Sequence, residues 1–190
     1  MTRAVPEGRR RGRAPVRALL RRWPTVVGLL AALAAFLGGA DRTTLGIAVA
    51  IAATCYLAAS ALERPWAAWA AIPGCGLAVV VGRLLGADPL TTLAVIAVAL
   101  VVVGLITRAS RAALSAEATA LLAYGGLTVI ALAIAPTVGL VLVAVTLIAH
   151  AVWDVVHLRR RVVVPPSLAE ICIALDVSLG LTVLLGLLLT

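Results

Sequence analysis

Apolar residues fall along this chain in long, nearly uninterrupted blocks, each closed by short clusters of Arg, Asp, Gly, Pro and Thr. The blocks are 23–40, 45–62, 66–85, 89–106, 112–135, 137–158 and 167–190. Each is about long enough to cross a hydrocarbon core of ~30 Å as a helix. Lipid offers no partner to bare backbone groups, so such blocks must be helical, and the period-two alternation of barrel strands is absent. The pattern predicts an all-α integral membrane bundle of seven transmembrane helices. A cleaved signal peptide competes for the first block, because Gly38-Gly39-Ala40 are small. The long basic segment before it and the six blocks after it favour a retained first span.

Composition agrees. Hydrophobic residues make up 63% of the 190 and charged ones 13%, where a soluble domain carries about a quarter charged. The net charge of +8 suggests nucleic acid only if the chain is soluble. Here the arginines stand at the ends of the apolar blocks, so no nucleic acid is expected and the lipid bilayer is the natural partner. With the N-terminus in the cytoplasm, 14 Arg lie inside and only Arg42 and Arg83 outside, a strong positive-inside bias. Seven spans then place Thr190 outside, in a multi-pass protein of the cell (inner or plasma) membrane. Trp23, Trp66, Trp69 and Trp153 all fall near the inner interface, where an indole keeps its N–H wet. Residues 1–22 form a basic cytoplasmic arm, expected to be partly disordered. Anionic lipid headgroups attract such an arm by about 1 kcal/mol per basic residue.

Two local features suggest internal architecture. The segment Gly39-Ala40-Asp41-Arg42-Thr43-Thr44-Leu45 is echoed by Gly86-Ala87-Asp88-Pro89-Leu90-Thr91-Thr92-Leu93. That is the spacing of a repeated helical hairpin, as in some transporters, although Gly, Asp and Thr are also ordinary turn and cap residues. Pro73-Gly74-Cys75-Gly76 and Tyr124-Gly125-Gly126 mark places where a span is able to break. Cys55, Cys75 and Cys172 form no C-x-x-C pair, which argues against a zinc ribbon or a disulfide framework.

The informative chemistry runs from His150 to Asp176. His150, Asp154 and His157 are spaced by four and three and share one helix face. Asp176 enters the next span from the same side, to a similar depth of roughly 12–14 Å. A carboxylate near mid-span costs about 2.5–3.5 kcal/mol on insertion scales and is by default a functional candidate. Its expected partner is His150, with Tyr56, Ser60 or Tyr124 as available hydroxyls. Asp154 lies near a helix C-terminus, where the dipole disfavours it, so His157 or an Arg is expected beside it. Ser167-x-x-Glu170 has the form of a capping box that starts the last span. Glu117 and Glu63 are expected to be solvated. His150, Asp154, His157 and Asp176 are also the candidate ligands of a metal. Zn²⁺ or Fe²⁺ suits those donors, but the spacing identifies neither, and no cofactor motif is present.

The run Trp153-Asp154-Val155-Val156-His157, with Cys172 and Asp176 downstream, resembles the C-terminal end of small uncharacterised bacterial polytopic membrane proteins. No activity comes with the resemblance. Three functions fit the residues. The first is a small-solute or ion transporter with a proton-responsive His/Asp site opening to the cytoplasm. The second is a metal-dependent membrane enzyme acting on a lipid. The third is a non-catalytic subunit whose polar cluster only fixes packing.

Overall fold

The computed structural model describes residues 22–189; the expectations for the basic arm fall on residues 1–21 and lie outside them. The described residues form seven helices and no strand: α1 (Trp23–Leu37), α2 (Arg42–Ala61), α3 (Ala67–Leu84), α4 (Pro89–Ile106), α5 (Arg111–Ala133), α6 (Pro136–Arg160) and α7 (Pro166–Leu188). Helices α2 to α7 are long and apolar enough to cross a membrane. The 15 residues of α1 rise about 22 Å, less than the core thickness. Large apolar side chains face outward along the helices, among them Leu84, Val95, Val98, Leu122 and Leu188. An apolar surface of this extent is not tolerated in water, and the chain fits a polytopic membrane protein.

The helix ends follow from local chemistry. Asp41 and Asp88 are extended N-caps whose carboxylates accept from Thr44 N–H, and from Leu90 and Thr91 N–H. The residues two before them, Gly39 and Gly86, have φ of +67° and +80°. Ala40 and Ala87 then donate back to Ala35 and Gly82, the six-to-one bond of a Schellman stop. At the other end of the bundle Glu63 and Arg108 take the left-handed position, and Arg64 and Ala109 donate back to Ala59 and Gly104. Arg42 reaches the end of α5, its Nη1 donating to the carbonyls of Ala131 and Ile134 at 3.2 and 2.9 Å. Those are orphan acceptors of a helix C-terminus, where a cation is favoured.

Packing is centred on α2, which lies against α3, α4, α5 and α6 and buries most of its residues. Helices α6 and α7 form an intimate antiparallel pair, and α1 lies against α7 rather than pairing with α2. That arrangement corrects the repeated-hairpin expectation: α3 packs on α4, but α1 does not pack in the same way on α2. The shared Gly-Ala-Asp segment is two copies of one stop-and-cap turn. Neither of the two places able to break a span does so. Helix α3 runs through Pro73 and α5 through Gly125-Gly126, with open space beside Gly74, Gly76, Gly125 and Gly126. Gly28 is different, because a Cβ there would lie 2.4 Å from the carbonyl oxygen of Ile171. Its bare Cα lets α1 approach the α7 backbone, as small residues do between membrane helices.

Two outcomes are expected. Gly28→Ala should force α1 off α7 and lower the thermal unfolding midpoint in detergent; an unchanged midpoint would contradict the close approach. Asp41→Ala should cost about 1 kcal/mol. The Asp41 carboxyl is held below its ordinary range, first by the Thr44 N–H and then by the Thr44 hydroxyl. A depressed folded value means the cap contributes fully above the unfolded value of about 3.9 and fades as pH falls through the folded one. The stability gap between wild type and Asp41→Ala should therefore narrow in acid, measured by unfolding at neutral pH and at about pH 2.

Candidate functional site

The central cluster is assembled by four helices. On α6, His150, Asp154 and His157 share one face, and all three are buried. Asp176 comes from α7 and is also buried. His150 and Asp176 each stand ten residues from the neighbouring ends of their helices, Arg160 and Pro166, or about 15 Å along the axis. Because α6 and α7 run antiparallel, the two residues meet: His150 Nδ1 is 2.8 Å from Asp176 Oδ2. The same nitrogen is 3.4 Å from Asp154 Oδ2. The other Asp154 oxygen accepts from the Tyr56 hydroxyl of α2. Tyr124 of α5 stands edge-on to His150 with centroids 5.1 Å apart, and its own hydroxyl donates to the Ala149 carbonyl at 3.3 Å.

One turn further along α6 is a second polar group. His157 Nε2 lies 2.9 Å from Glu117 Oε1 on α5, and its Nδ1 lies 2.9 Å from the Trp153 carbonyl. A carbonyl only accepts, so Nδ1 carries a hydrogen. The Nε2–Oε1 contact then needs one further proton, carried by either partner, and the pair is neutral as a whole. The Trp153 indole N–H donates to the other Glu117 oxygen at 3.2 Å. Every polar atom of this trio has a partner.

The central cluster is not closed in that way. Asp154 and His150 are 0% exposed and Asp176 3%. Two carboxylates face one imidazole, so even with a full positive charge on the ring the ionised cluster is one positive charge short. Two of its buried polar atoms, His150 Nε2 and Asp154 Oδ2, accept or donate no hydrogen bond. Buried polar atoms are rarely left so, and the cost of each is about 1–3 kcal/mol.

The cluster lies between two recesses at opposite ends of the bundle. One, of about 690 Å³, is lined by residues of α1, α2, α6 and α7 that include Arg42, Leu45, Leu140 and Leu179. Leu179 is one turn from Asp176, and Leu45, Val49, Val143, Leu147 and Leu179 pack as an apolar plug beneath the recess. The other, of about 230 Å³, reaches Ala59 and Ser60, one turn from Tyr56. Tyr56, Ala59, Val164 and Leu168 close it.

Several expectations are met and several corrected. Asp176 pairs with His150, as depth and adjacency require. His157 is held by Glu117, does not snorkel, and stands outside the metal-compatible set, which is His150, Asp154 and Asp176. Asp154 is met by His150 and Tyr56 in place of His157 or an Arg. Ser60 donates to Leu57, so none of the three candidate hydroxyls reaches Asp176. No opening at the Arg160 end exposes the cluster among the described residues. Ser167 and Glu170 form no capping box, because α7 begins at Pro166 with Pro165 as N-cap. That start puts Ser167 at the second helical position and Glu170 at the fifth, two residues beyond the third position that a capping box requires. Glu170 instead accepts from the Thr25 hydroxyl of α1, with Arg22 3.7 Å away. Glu63 is exposed and accepts from the Ser110 N–H. Sequence reasoning left Glu117 in solvent, yet it is buried. The available signal was its place two turns before Tyr124, on the same face of an apolar block.

Compared with known proteins, the chain matches no family model, and neither a curated protein nor a solved structure matches it. The function therefore rests on the geometry alone.

Glu117→Gln is expected to be nearly neutral, since an amide oxygen still accepts from Trp153 and the amide N–H donates to His157 Nε2. Glu117→Leu strands both partners and should cost about 1–3 kcal/mol. Detergent unfolding of the two variants checks this, and equal losses would contradict the assignment.

Proposed function

We propose that this chain is a membrane permease for a small cation, with His150, Asp154 and Asp176 as the site that holds the ion in transit. The supporting observation is the shortfall of positive charge in a buried cluster that also has two polar atoms without a hydrogen bond. A cation supplies the missing charge and gives the unpartnered carboxylate oxygen something to bind. A purely structural cluster would be expected to resemble the Glu117–His157–Trp153 trio, in which nothing is left over. The two recesses, one reaching within a turn of Asp176 and the other within a turn of Tyr56, suit an occluded stage of alternating access.

In this proposal all seven helices cross the cell membrane, the short α1 where the bilayer thins around it, with the N-terminus in the cytoplasm and Thr190 outside. The support is the strong bias of arginine to one side and the exposed Trp23, Trp66 and Trp69 at that same side. Trp23 and Trp69 stack there with centroids 6.4 Å apart. Trp153 departs from the belt, since its N–H is taken by Glu117. In the same proposal, anionic lipid headgroups are the partner of the basic arm.

Two measurements test this. A reporter active only outside the cytoplasm, fused after Thr190, should be active; activity of a cytoplasm-only reporter there would rule out seven spans. Purified protein in vesicles on a solid-supported membrane should give transient currents on jumps of at least one inorganic or organic cation, and Asp176→Asn should abolish them. Wild-type vesicles silent to every cation tried would retire the permease.

A further inference from the structure

Resting on the cation-site proposal above, we propose that the ion is a divalent first-row transition metal, bound directly by His150, Asp154 and Asp176. The donor set is one imidazole nitrogen and two carboxylates, each offering an atom within 4.8 Å of the others. Alkali ions, Mg²⁺ and Ca²⁺ prefer all-oxygen shells, whereas imidazole with carboxylate suits Zn²⁺, Fe²⁺ and their neighbours.

The spacing supports the same class. Ligand atoms about 2.0–2.1 Å from an ion stand about 2.9 Å apart at an octahedral edge and about 3.4 Å apart at a tetrahedral one. The contacts from His150 Nδ1 to Asp176 Oδ2 and Asp154 Oδ2 are 2.8 and 3.4 Å, so the ligands need to move by at most a few tenths of an ångström at these two edges. Charge agrees as well: two carboxylates and a neutral imidazole are balanced by one divalent ion, which leaves a neutral site in an apolar bundle. Asp154 Oδ2 is the decisive atom. It is fully buried, points into the cluster and has no hydrogen-bond partner. Its companion Oδ1 is held by the Tyr56 hydroxyl. A ligating carboxylate is commonly fixed in this way by an outer partner, which makes Tyr56 a positioning residue. His157 and Glu117 satisfy each other and take no part.

The test uses the full chain, purified in detergent and stripped with a chelator. Titration with Co²⁺ should develop a visible d–d absorption band saturating near one ion per chain. Dialysis against Zn²⁺ and elemental analysis should return the same ratio, unaffected by a large excess of Mg²⁺. His150→Gln and Asp176→Asn should abolish binding, Tyr56→Phe should weaken it by about 10–100-fold, and Glu117→Gln should leave it unchanged. Wild-type protein that takes up no more Co²⁺ or Zn²⁺ than His150→Gln would overturn the proposal, whatever becomes of the variants' folding. Vesicle measurements keep the two proposals apart. Currents evoked by other cations, without metal binding, leave the permease standing and remove the metal. Stoichiometric metal binding with no flux of any cation tried, Zn²⁺ and Mn²⁺ included, leaves the metal site standing and removes the permease.

Discussion

Two carboxylates held beside one imidazole at midspan are the constraint around which this bundle is arranged. An isolated charge in lipid is prohibitive, so Asp154 and Asp176 need a dry enclosure lined with donors. No single helix supplies one. Helix α6 brings an imidazole and a carboxylate, α7 the second carboxylate, α2 the Tyr56 hydroxyl and α5 the Tyr124 wall. Those four helices form the polar heart, and the central, heavily buried position of α2 follows from it. Helices α3 and α4 bring no ionisable group to this heart and form its apolar flank. In α4, only Leu93 and Gly104 are buried.

Tyr56 stands between two groups of opposite character. Its ring is edge-on to both His157 and His150, at 4.8 and 5.8 Å, and its hydroxyl goes to Asp154. On one side, Glu117, His157 and Trp153 form a closed set in which every donor has an acceptor. On the other, one imidazole and two carboxylates leave two polar atoms without a hydrogen bond. The contrast matters because both lie in the same apolar medium and face the same desolvation cost. What separates them is stoichiometry: one acid per imidazole in the first, two in the second.

The meeting of His150 and Asp176 was legible before the fold was known, because it needs only helical rise and a short connection between neighbouring spans. The all-helical class was legible for a similar reason, since block length and lipid leave one solution. Partners across non-adjacent helices were not. Tyr56 and Asp154 are 98 residues apart, and which helix sits beside α6 is decided by packing that no local pattern encodes. The fate of Glu117 was hidden in the same way. The Ser167-x-x-Glu170 motif misled because Pro165-Pro166 begins the helix earlier; the proline ring presets the backbone angle of the first turn. The repeated Gly-Ala-Asp segments were read correctly as turns, and incorrectly as a sign of repeated hairpins, because turn chemistry is local and hairpin packing is not.

The docking of α1 on α7 has a consequence for biogenesis. Helix α1 leaves the ribosome long before the α7 surface it packs on exists. Until α7 is made, the notch at Gly28 and the Thr25 hydroxyl lack the partners they have in the folded chain, and α2 likewise waits for α5 and α6. Assembly of this bundle therefore waits on α7, which brings Asp176, Glu170 and the groove that receives α1 together. The tertiary structure closes in one late step, and a chain stalled before that step holds His150 without Asp176 and α1 undocked.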